Sequence, residues 1–323
     1  MVMQSYAEAL VDALYDSLAA DARVSLIGSY VLGLGPQRHL MDRVRKDFRD
    51  RIDDPPTSEA GAAATGIGAA MAGMRPFVDL GTGSFSYLAW SQLTNEAPVS
   101  YYMSGGKIPV PVTFHLLHGV RGGGAAQHSH SPQSMLCNVP GLEIASPSTA
   151  ADVYGLVRTA FASANPTVIV SHAKLLPIET PAPDPKAPIP FGRADIKRRG
   201  RDVTVVANSL MVHYSLAAAE TLAREGIEAE VVDVRTLAPL DETTILESVA
   251  RTGRLVVVDE CPLRCGFASE VSASVVEQGF DLLKAPIRRV TRAQVPVPYS
   301  PALEAAVTPD ADKIATAARK VMG

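Results

Sequence analysis

Residues 142–173 read LEIASPSTAADVYGLVRTAFASANPTVIVSHA, and this stretch decides the fold. A short apolar run at 142–148 is followed by a helical pattern over 149–163 and by a second apolar run at 166–173. Runs rich in Val, Ile and Leu are typical of strands that are buried on both faces. Their alternation with helices predicts a mostly parallel sheet with helices packed on it.

The same alternation continues on both sides of this stretch. Upstream, an amphipathic helix capped by Ser5 precedes apolar runs at 23–28, 75–81 and 110–117, and a helix is predicted over 86–103 between the last two runs. Downstream, residues 177–192 contain six prolines. Proline lacks the amide hydrogen and fixes φ, so we expect this segment to be an extended linker.

After the linker, apolar runs and helical patterns alternate again from 202–209 to a last helix over 310–322. The chain is therefore predicted to be an α/β protein with two doubly wound domains. The predicted boundaries are 1–176 for the first domain and 193–323 for the smaller second domain.

Composition and charge argue against several classes of protein. The 323 residues are 47% hydrophobic and carry a net charge of −4, so no basic excess is available to neutralise nucleic-acid phosphates. No apolar run approaches the ~20 residues of a membrane span, and the N-terminus lacks the early basic residues of a secretory signal. Three cysteines are too few for a disulfide framework. We expect a cytoplasmic protein that binds neither nucleic acid nor membrane.

Two possible binding motifs carry weak signals. The glycines at 66–71 resemble a dinucleotide fingerprint, but the third glycine is missing and no strand precedes them, so they are interpreted as allowing close helix packing. Imidazoles without a nearby carboxylate or thiol are weak evidence for a metal. No metal site is therefore predicted from the four histidines clustered near the middle of the chain, His115, His118, His128 and His130.

The segment 118–133, HGVRGGGAAQHSHSPQ, is the strongest site candidate on position alone. It follows a predicted parallel strand, and α/β proteins place their sites at the carboxyl ends of such strands. It ends in His128 and His130, which could titrate near neutral pH. A functional loop is favoured over a mobile surface loop with incidental histidines.

A single carboxylate begins the small, apolar stretch PPTSEAGAAATGIGAAMAG at 55–73. Ser58 is the predicted N-cap of a helix, and Glu59 lies in the first turn, where the helix dipole favours an acid. From the residues alone, a helix cap is the favoured interpretation of Glu59.

Taken together, the motifs resemble the β subunit of the thiamine-diphosphate-dependent decarboxylase component of 2-oxoacid dehydrogenase complexes (pyruvate, branched-chain and acetoin types). The resemblance covers nearly the whole chain. It is carried by six segments, SEAGAAATGIGAAMAGMRP (58–76), YYMSGGKIPVPV (101–112), AAQHSHSP (125–132), PGLEIASPSTAADVYGL (140–156), EVVDVRTLAPLDETTILESVARTGRLVVVDE (230–260) and APIRRVTRAQVPVPYS (285–300).

The resemblance implies a pyrimidine-binding domain followed by a transketolase C-terminal-type domain, and it gives particular residues roles. Glu59 would hydrogen-bond ring N1′ of the aminopyrimidine and so favour the tautomer that removes the thiazolium C2 proton. Phe85 would pack beside the same ring, with Gly81 in the cofactor-binding set. His128 would orient the substrate and donate a proton as the acyl group moves to a lipoyl group.

The resemblance also implies partners. This superfamily holds the diphosphate and Mg²⁺ with a Gly-Asp-Gly…Asn motif, and no Gly-Asp-Gly occurs in this chain. A separate α subunit would supply that half in an α2β2 assembly, and the β chain alone would be catalytically incomplete. A 2-oxoacid would be the substrate, and a lipoyl acyltransferase core is a possible further partner.

Several positions depart from the family pattern. FHLLHG at 114–119 replaces a typical R-x-P-x-G, and single departures occur at Ser29, Tyr30, Ser91, His130, His172 and Gln294. They keep open a two-chain carboligase or transketolase-like enzyme with a non-lipoyl acceptor, and also a non-catalytic structural subunit. The particular 2-oxoacid and the presence of a monovalent cation are not determined by the sequence.

Overall fold

The structure, a computed structural model, describes residues 2–28, 32–33, 35–185 and 188–323. The departures at Ser29 and Tyr30 lie outside the described residues. The chain divides into two compact units, the first comprising Met1–His118 and Leu136–Phe191 and the second comprising Gly119–Met135 and Gly192–Gly323. The predicted domain boundaries at 176 and 193 stay a prediction.

The first unit alternates strands and helices along the chain. Its strands are β1 (Met3–Ser5), β2 (Val24–Ile27), β3 (Ile52–Asp53), β4 (Arg75–Thr82), β5 (Thr113–His118), β6 (Glu143–Ala145), β7 (Thr167–His172) and β8 (Glu179–Pro181). Its helices are α1 (Tyr6–Ala20), α2 (Asp42–Asp47), α3 (Glu59–Met71), α4 (Ser100–Met103), α5 (Gln133–Cys137) and α6 (Ala150–Ala162). Only the last two residues of α5 belong to this unit.

The central sheet of the first unit is parallel, as predicted. Its strands lie in the order β6-β7-β5-β4-β2-β3, and every neighbouring pair among them is parallel. All six residues of β7 are buried. A separate antiparallel pair joins β1 to β8, so three residues of the predicted proline-rich linker are held by strand pairing.

The predicted helix over 86–103 is broken into three pieces. A 3₁₀ segment (Gly83–Ala89) is followed by a π turn (Gln92–Glu96) and then by the four-residue α4. Pro98 has no amide hydrogen to donate and disfavours a helical residue before it. The amide of Ala97 accordingly bonds the carbonyl of Gln92, five residues back.

The second unit contains a smaller sheet and its covering helices. Its strands are β9 (Asp195–Arg198), β10 (Val203–Ala207), β11 (Ala229–Asp233), β12 (Thr236–Ala238), β13 (Leu255–Pro262) and β14 (Arg288–Arg292). Its helices are α7 (Leu210–Ala223), α8 (Glu242–Thr252), α9 (Phe267–Gly279), α10 (Pro301–Val307) and α11 (Ala311–Met322). The five-stranded sheet has the order β14-β13-β10-β11-β9, and only the edge strand β9 runs antiparallel to its neighbour. The α/β prediction is confirmed in both units.

Within the described ranges, the helices are all too short or too polar to cross a bilayer.

Candidate active site

The start of α3 presents Glu59 as a free acid. The Ser58 hydroxyl accepts a hydrogen bond from the amide of Gly61 at 3.1 Å and so caps the helix, as predicted. Glu59 is the first residue of α3 and is half-buried. Because Ser58 already supplies the cap, the carboxyl of Glu59 is not needed for it. Among the described residues, no protein group forms a hydrogen bond with this carboxyl.

Glu59 lines a small cavity of about 180 Å³. One wall comes from the start of α3, and the other comes from the carboxyl end of β4 and the 3₁₀ segment after it. The lining residues are Thr57, Ser58, Glu59, Ala62, Asp79, Leu80, Gly81 and Phe85. Ligands of parallel α/β sheets bind at this end of the strands. The structure thus brings together three of the four predicted site residues, Glu59, Gly81 and Phe85.

Small residues shape the walls of this cavity. Gly81 has a φ of +67°, and a Cβ there would come within 3.9 Å of the Phe85 ring. The amide of Gly81 donates to Oδ1 of Asp79 at 3.1 Å, which fixes the end of β4, where the strand register shifts between Asp79 and Thr82. On the opposite wall, Ala62 adds only a methyl group. The space between the Phe85 ring and the Glu59 carboxyl group is therefore not filled by larger side chains.

The size and lining of the cavity fit one planar ring. Sites for whole drug-sized ligands have volumes of about 300–1,000 Å³. A cavity of about 180 Å³ holds only a part of such a ligand, so the rest must be bound by other groups. A carboxyl at its edge can share a proton with a ring nitrogen, and Phe85 can pack against the face of a flat heterocycle.

Asp79 is a site residue that the sequence analysis missed. Its side chain is only 5% exposed, and Oδ1 lies 2.9 Å from Nδ1 of His115 on the neighbouring strand. The only sequence signal was an acid at the carboxyl end of an otherwise apolar strand. His115 therefore hydrogen-bonds to a residue of the cavity wall. Across the described ranges, no group of three His, Cys, Asp or Glu side chains is placed to hold a metal ion.

His128, the fourth predicted site residue, belongs to the second unit and does not line the Glu59 cavity. Its side chain is exposed, whereas its backbone carbonyl accepts hydrogen bonds from Nε and Nη2 of Arg121 at 3.0 and 2.8 Å. The guanidinium therefore fixes the backbone at His128 and leaves the imidazole accessible.

Two buried carboxylates anchor the glycine-rich segment. The amide of Val120 donates to Oε1 of Glu260 at 2.6 Å, and the amide of Gly123 donates to Oε1 of Glu304 at 3.0 Å. Nearby, burial and the charge of Arg292 lower the pKa of His130. These contacts favour a positioned loop over a loose surface segment.

The other departures from the family pattern lie in varied surroundings. His172 is fully buried and packs edge-on against His118, with ring centroids 4.9 Å apart. Ser91 is exposed. The side-chain carbonyl of Gln294 accepts a hydrogen bond from the amide of Arg264 at 3.3 Å. None of the three residues lines the Glu59 cavity.

Comparison with known proteins first defines the class. The transketolase pyrimidine-binding domain family matches residues 3–179, and the transketolase C-terminal domain family matches residues 192–314. A split-gene transketolase solved as an inactive β4 tetramer superposes with a TM-score of 0.81 over 98% of each chain. At 23% identity this likeness concerns the fold.

Sequence relatives then define the family. The chain is 46% identical, over 84% of its length and 81% of the relative, to the β subunit of acetoin:2,6-dichlorophenolindophenol oxidoreductase from Cupriavidus necator. It is 39% identical, over 97% of its length and 88% of the relative, to a mitochondrial pyruvate dehydrogenase E1 β subunit from Arabidopsis thaliana. The corresponding Rickettsia conorii subunit is 36% identical over 97% of both chains. The chain belongs to the family of E1 β subunits of 2-oxoacid dehydrogenases, and the predicted resemblance is confirmed.

Proposed function

We propose that this chain supplies the pyrimidine-binding half of a thiamine diphosphate site and that Glu59 is its essential acid. One observation carries the proposal. Glu59, Gly81 and Phe85, which lie on three separate elements of the fold, line the same small cavity. Membership of the E1 β family supports the choice of cofactor.

When bound, thiamine diphosphate supplies a nucleophilic carbon and an electron sink for cleaving a bond next to a carbonyl group. In this chain, Glu59 would share a proton with ring N1′ of the pyrimidine. A half-buried carboxyl interacts more strongly there than it would in water, because the surroundings screen it less. Phe85 would pack against the face of the ring. Gly81 has no side chain and Ala62 has only a methyl group, so both would leave space for the ring.

A partner must complete the site. The cavity holds one ring, and the sequence has no Gly-Asp-Gly motif for the diphosphate and Mg²⁺. We therefore propose an α subunit that carries this motif, in an α2β2 assembly. Among the described residues, the three cysteines form no disulfide, which supports a reducing compartment, and we propose the cytoplasm.

His128 would act on the substrate. Its exposed imidazole is carried by a backbone that Arg121 fixes, so it can present a hydrogen-bond donor in a constant position. We propose that it orients the substrate and donates a proton as the acyl group moves to its acceptor.

The main candidate reaction is decarboxylation of a 2-oxoacid with acyl transfer to a lipoyl group. Acetoin is a second candidate substrate, because the Cupriavidus necator acetoin relative is more similar, at 46% identity, than the pyruvate relatives at 36–39%. Dye reduction by the assembled enzyme, with pyruvate or with acetoin, would separate the two.

The test of the proposal is Glu59→Gln in the assembled α/β enzyme, with thiamine diphosphate and Mg²⁺ present. Glutamine keeps the size of the side chain but cannot exchange a proton with the ring. We expect turnover, measured by dichlorophenolindophenol reduction, to fall about 10²- to 10⁴-fold, as is usual when a general acid or base is lost.

Glu8→Gln is the matched control, because Glu8 is also an acid in the first turn of a helix. It lines a different cavity, and turnover should stay near the wild-type value. Wild-type turnover in Glu59→Gln would refute the role of Glu59.

A further inference from the structure

Behind the Glu59 cavity, side chains from three strands and α1 form a continuous hydrogen-bonded chain. Nδ1 of His115 lies 2.9 Å from Oδ1 of Asp79, and Nε2 of His115 lies 3.0 Å from Oγ of Ser171. The hydroxyl of Tyr6 donates to the same Ser171 oxygen at 2.9 Å. All four residues are at most 7% exposed.

The hydrogen bonds of this chain have one consistent direction. The Asp79 carboxylate can only accept, so Nδ1 of His115 donates to it. Nε2 of a neutral imidazole then accepts from the Ser171 hydroxyl, whose oxygen accepts from Tyr6. Each hydrogen bond of the chain thus joins one donor to one acceptor, and the chain ends at the Asp79 carboxylate.

Asp79, His115 and Ser171 have the connectivity of a Ser-His-Asp triad, but the structure excludes nucleophilic catalysis by Ser171. Its side chain is fully buried, and its oxygen already accepts from Tyr6. Ser171 does not line the cavity, whereas Asp79 does. The end of the chain that faces the candidate site is therefore the carboxylate, and no reacting atom can reach the hydroxyl.

Asp79 joins separate segments around the cavity. Its Oδ1 also accepts from the amide of Gly81 at 3.1 Å, and its Oδ2 accepts from the amide of Leu32 at 2.7 Å. Gly28 also packs against this residue, since a Cβ there would lie 2.4 Å from the Asp79 carbonyl oxygen. Rotation of the Asp79 carboxylate would release the end of β4, which carries Gly81 and leads into the segment that carries Phe85.

We propose that Asp79 and His115 are positioning residues for ring binding, with His115 fixing the carboxylate that fixes the Gly81–Phe85 wall. This inference rests on the proposed function. His115 lies in FHLLHG (114–119), one of the places where this chain departs from the family pattern. The departure thus acquires a role in this chain, which is to build a hydrogen-bonded support for the cavity.

Two amide substitutions at His115 can test the hydrogen bonds of its two ring nitrogens separately. In His115→Asn, the side-chain amide nitrogen lies near the position of Nδ1 and can still donate to Asp79. In His115→Gln, the side-chain amide oxygen can take the position of Nε2 and accept from the Ser171 hydroxyl, so the contact with Ser171 is kept and the one with Asp79 is lost. Each variant therefore retains one of the two hydrogen bonds.

The experiment is a calorimetric titration of thiamine diphosphate, with Mg²⁺, into the assembled α/β enzyme. We expect His115→Asn to bind within about threefold of wild type and His115→Gln to bind at least about tenfold more weakly, because a hydrogen bond to a charged group is the stronger of the two. Thermal unfolding of both variants serves as the stability readout. Equal affinities of the two variants, whatever their stabilities, would overturn the inference.

Tyr6→Phe is a second, nearly isosteric variant that tests the far end of the chain. It removes one hydroxyl in the core, and we expect about two- to threefold weaker binding of thiamine diphosphate, since a neutral hydrogen bond is worth less. If neither Tyr6→Phe nor His115→Gln changes the affinity, the inference is wrong. If the wild-type assembly itself does not bind thiamine diphosphate, the proposed function fails instead.

Discussion

Helices α1 and α3 begin with the same two residue types, a serine and a glutamate, yet the two acids have different surroundings. At α1, Ser5 and Glu8 form a capping box in which the Glu8 carboxylate accepts from the Ser5 amide at 2.9 Å. At α3, Ser58 caps the helix through Gly61, and Glu59 faces a cavity. One acid is used by the helix, and the other is left for a ligand.

Spacing explains the difference. A glutamate three residues after the cap can reach back to the cap amide, whereas one directly after the cap cannot. The helix bodies differ in the same sense. α1 packs large side chains such as Leu10 and Leu14 into the core, whereas α3 buries only Ala, Gly and one Ile. We infer that α3 is built to bring its first turn close to the sheet.

The largest effect on folding is expected where α3 touches the sheet. A Cβ at Gly66 would lie 2.3 Å from Cγ2 of Val78 on β4, so Gly66→Ala must displace the helix or the Val78 side chain. Overpacking of this kind costs about 1–3 kcal/mol, and chemical denaturation would measure it.

Gly68 is the matched control in the same helix, because a Cβ there would meet no atom within 4 Å. Gly68→Ala should leave stability unchanged or raise it by up to about 1 kcal/mol, since alanine favours helix. Equal losses of stability in both variants would show that close packing at Gly66 does not position α3 on the sheet.

A smaller, pH-dependent effect is expected at the other helix start. Hydrogen bonds from the amide and hydroxyl of Ser5 lower the pKa of Glu8. A lowered folded-state pKa stabilises the fold above the unfolded pKa of about 4.3, and the gain is lost as pH falls through the folded value. Glu8→Gln should cost about 1 kcal/mol at pH 7, by analogy with other helix caps.

The measurement is urea unfolding of wild type and Glu8→Gln across the acid range. Their free energies of unfolding should converge as pH falls through the lowered folded-state pKa of Glu8, where the wild-type carboxylate becomes protonated. A difference that stays constant with pH would mean that the charge of Glu8 contributes nothing to the cap.

Much of the fold could be predicted from the sequence because its signals are local. Apolar runs gave the buried strands β4, β7, β10 and β13, and serine caps gave the starts of α1 and α3. Strand β9 was missed because its residues, DIKR, lack the apolar pattern of a buried strand. The broken helix at 83–103 was missed because its apolar spacing resembles that of a continuous helix.

Long-range contacts explain what the sequence could not predict in the candidate site. Glu59 stands out as a lone acid, but Asp79, His115, Ser171 and Tyr6 are single polar residues in separate apolar stretches. Only strand register places His115 beside Asp79. Likewise, the glycine-rich segment packs with the second unit through Glu260, 140 residues away from Val120. No local sequence pattern indicates such pairs of residues.

The most direct test of the central claim is a crystal structure of the assembled α/β enzyme with thiamine diphosphate and Mg²⁺. The claim is that Glu59, released from capping by Ser58, is the acid of the pyrimidine site. It predicts a Glu59 carboxyl oxygen within about 2.6–3.2 Å of ring N1′, with the ring against Phe85. A pyrimidine ring bound outside this cavity, or paired with another acid, would contradict it.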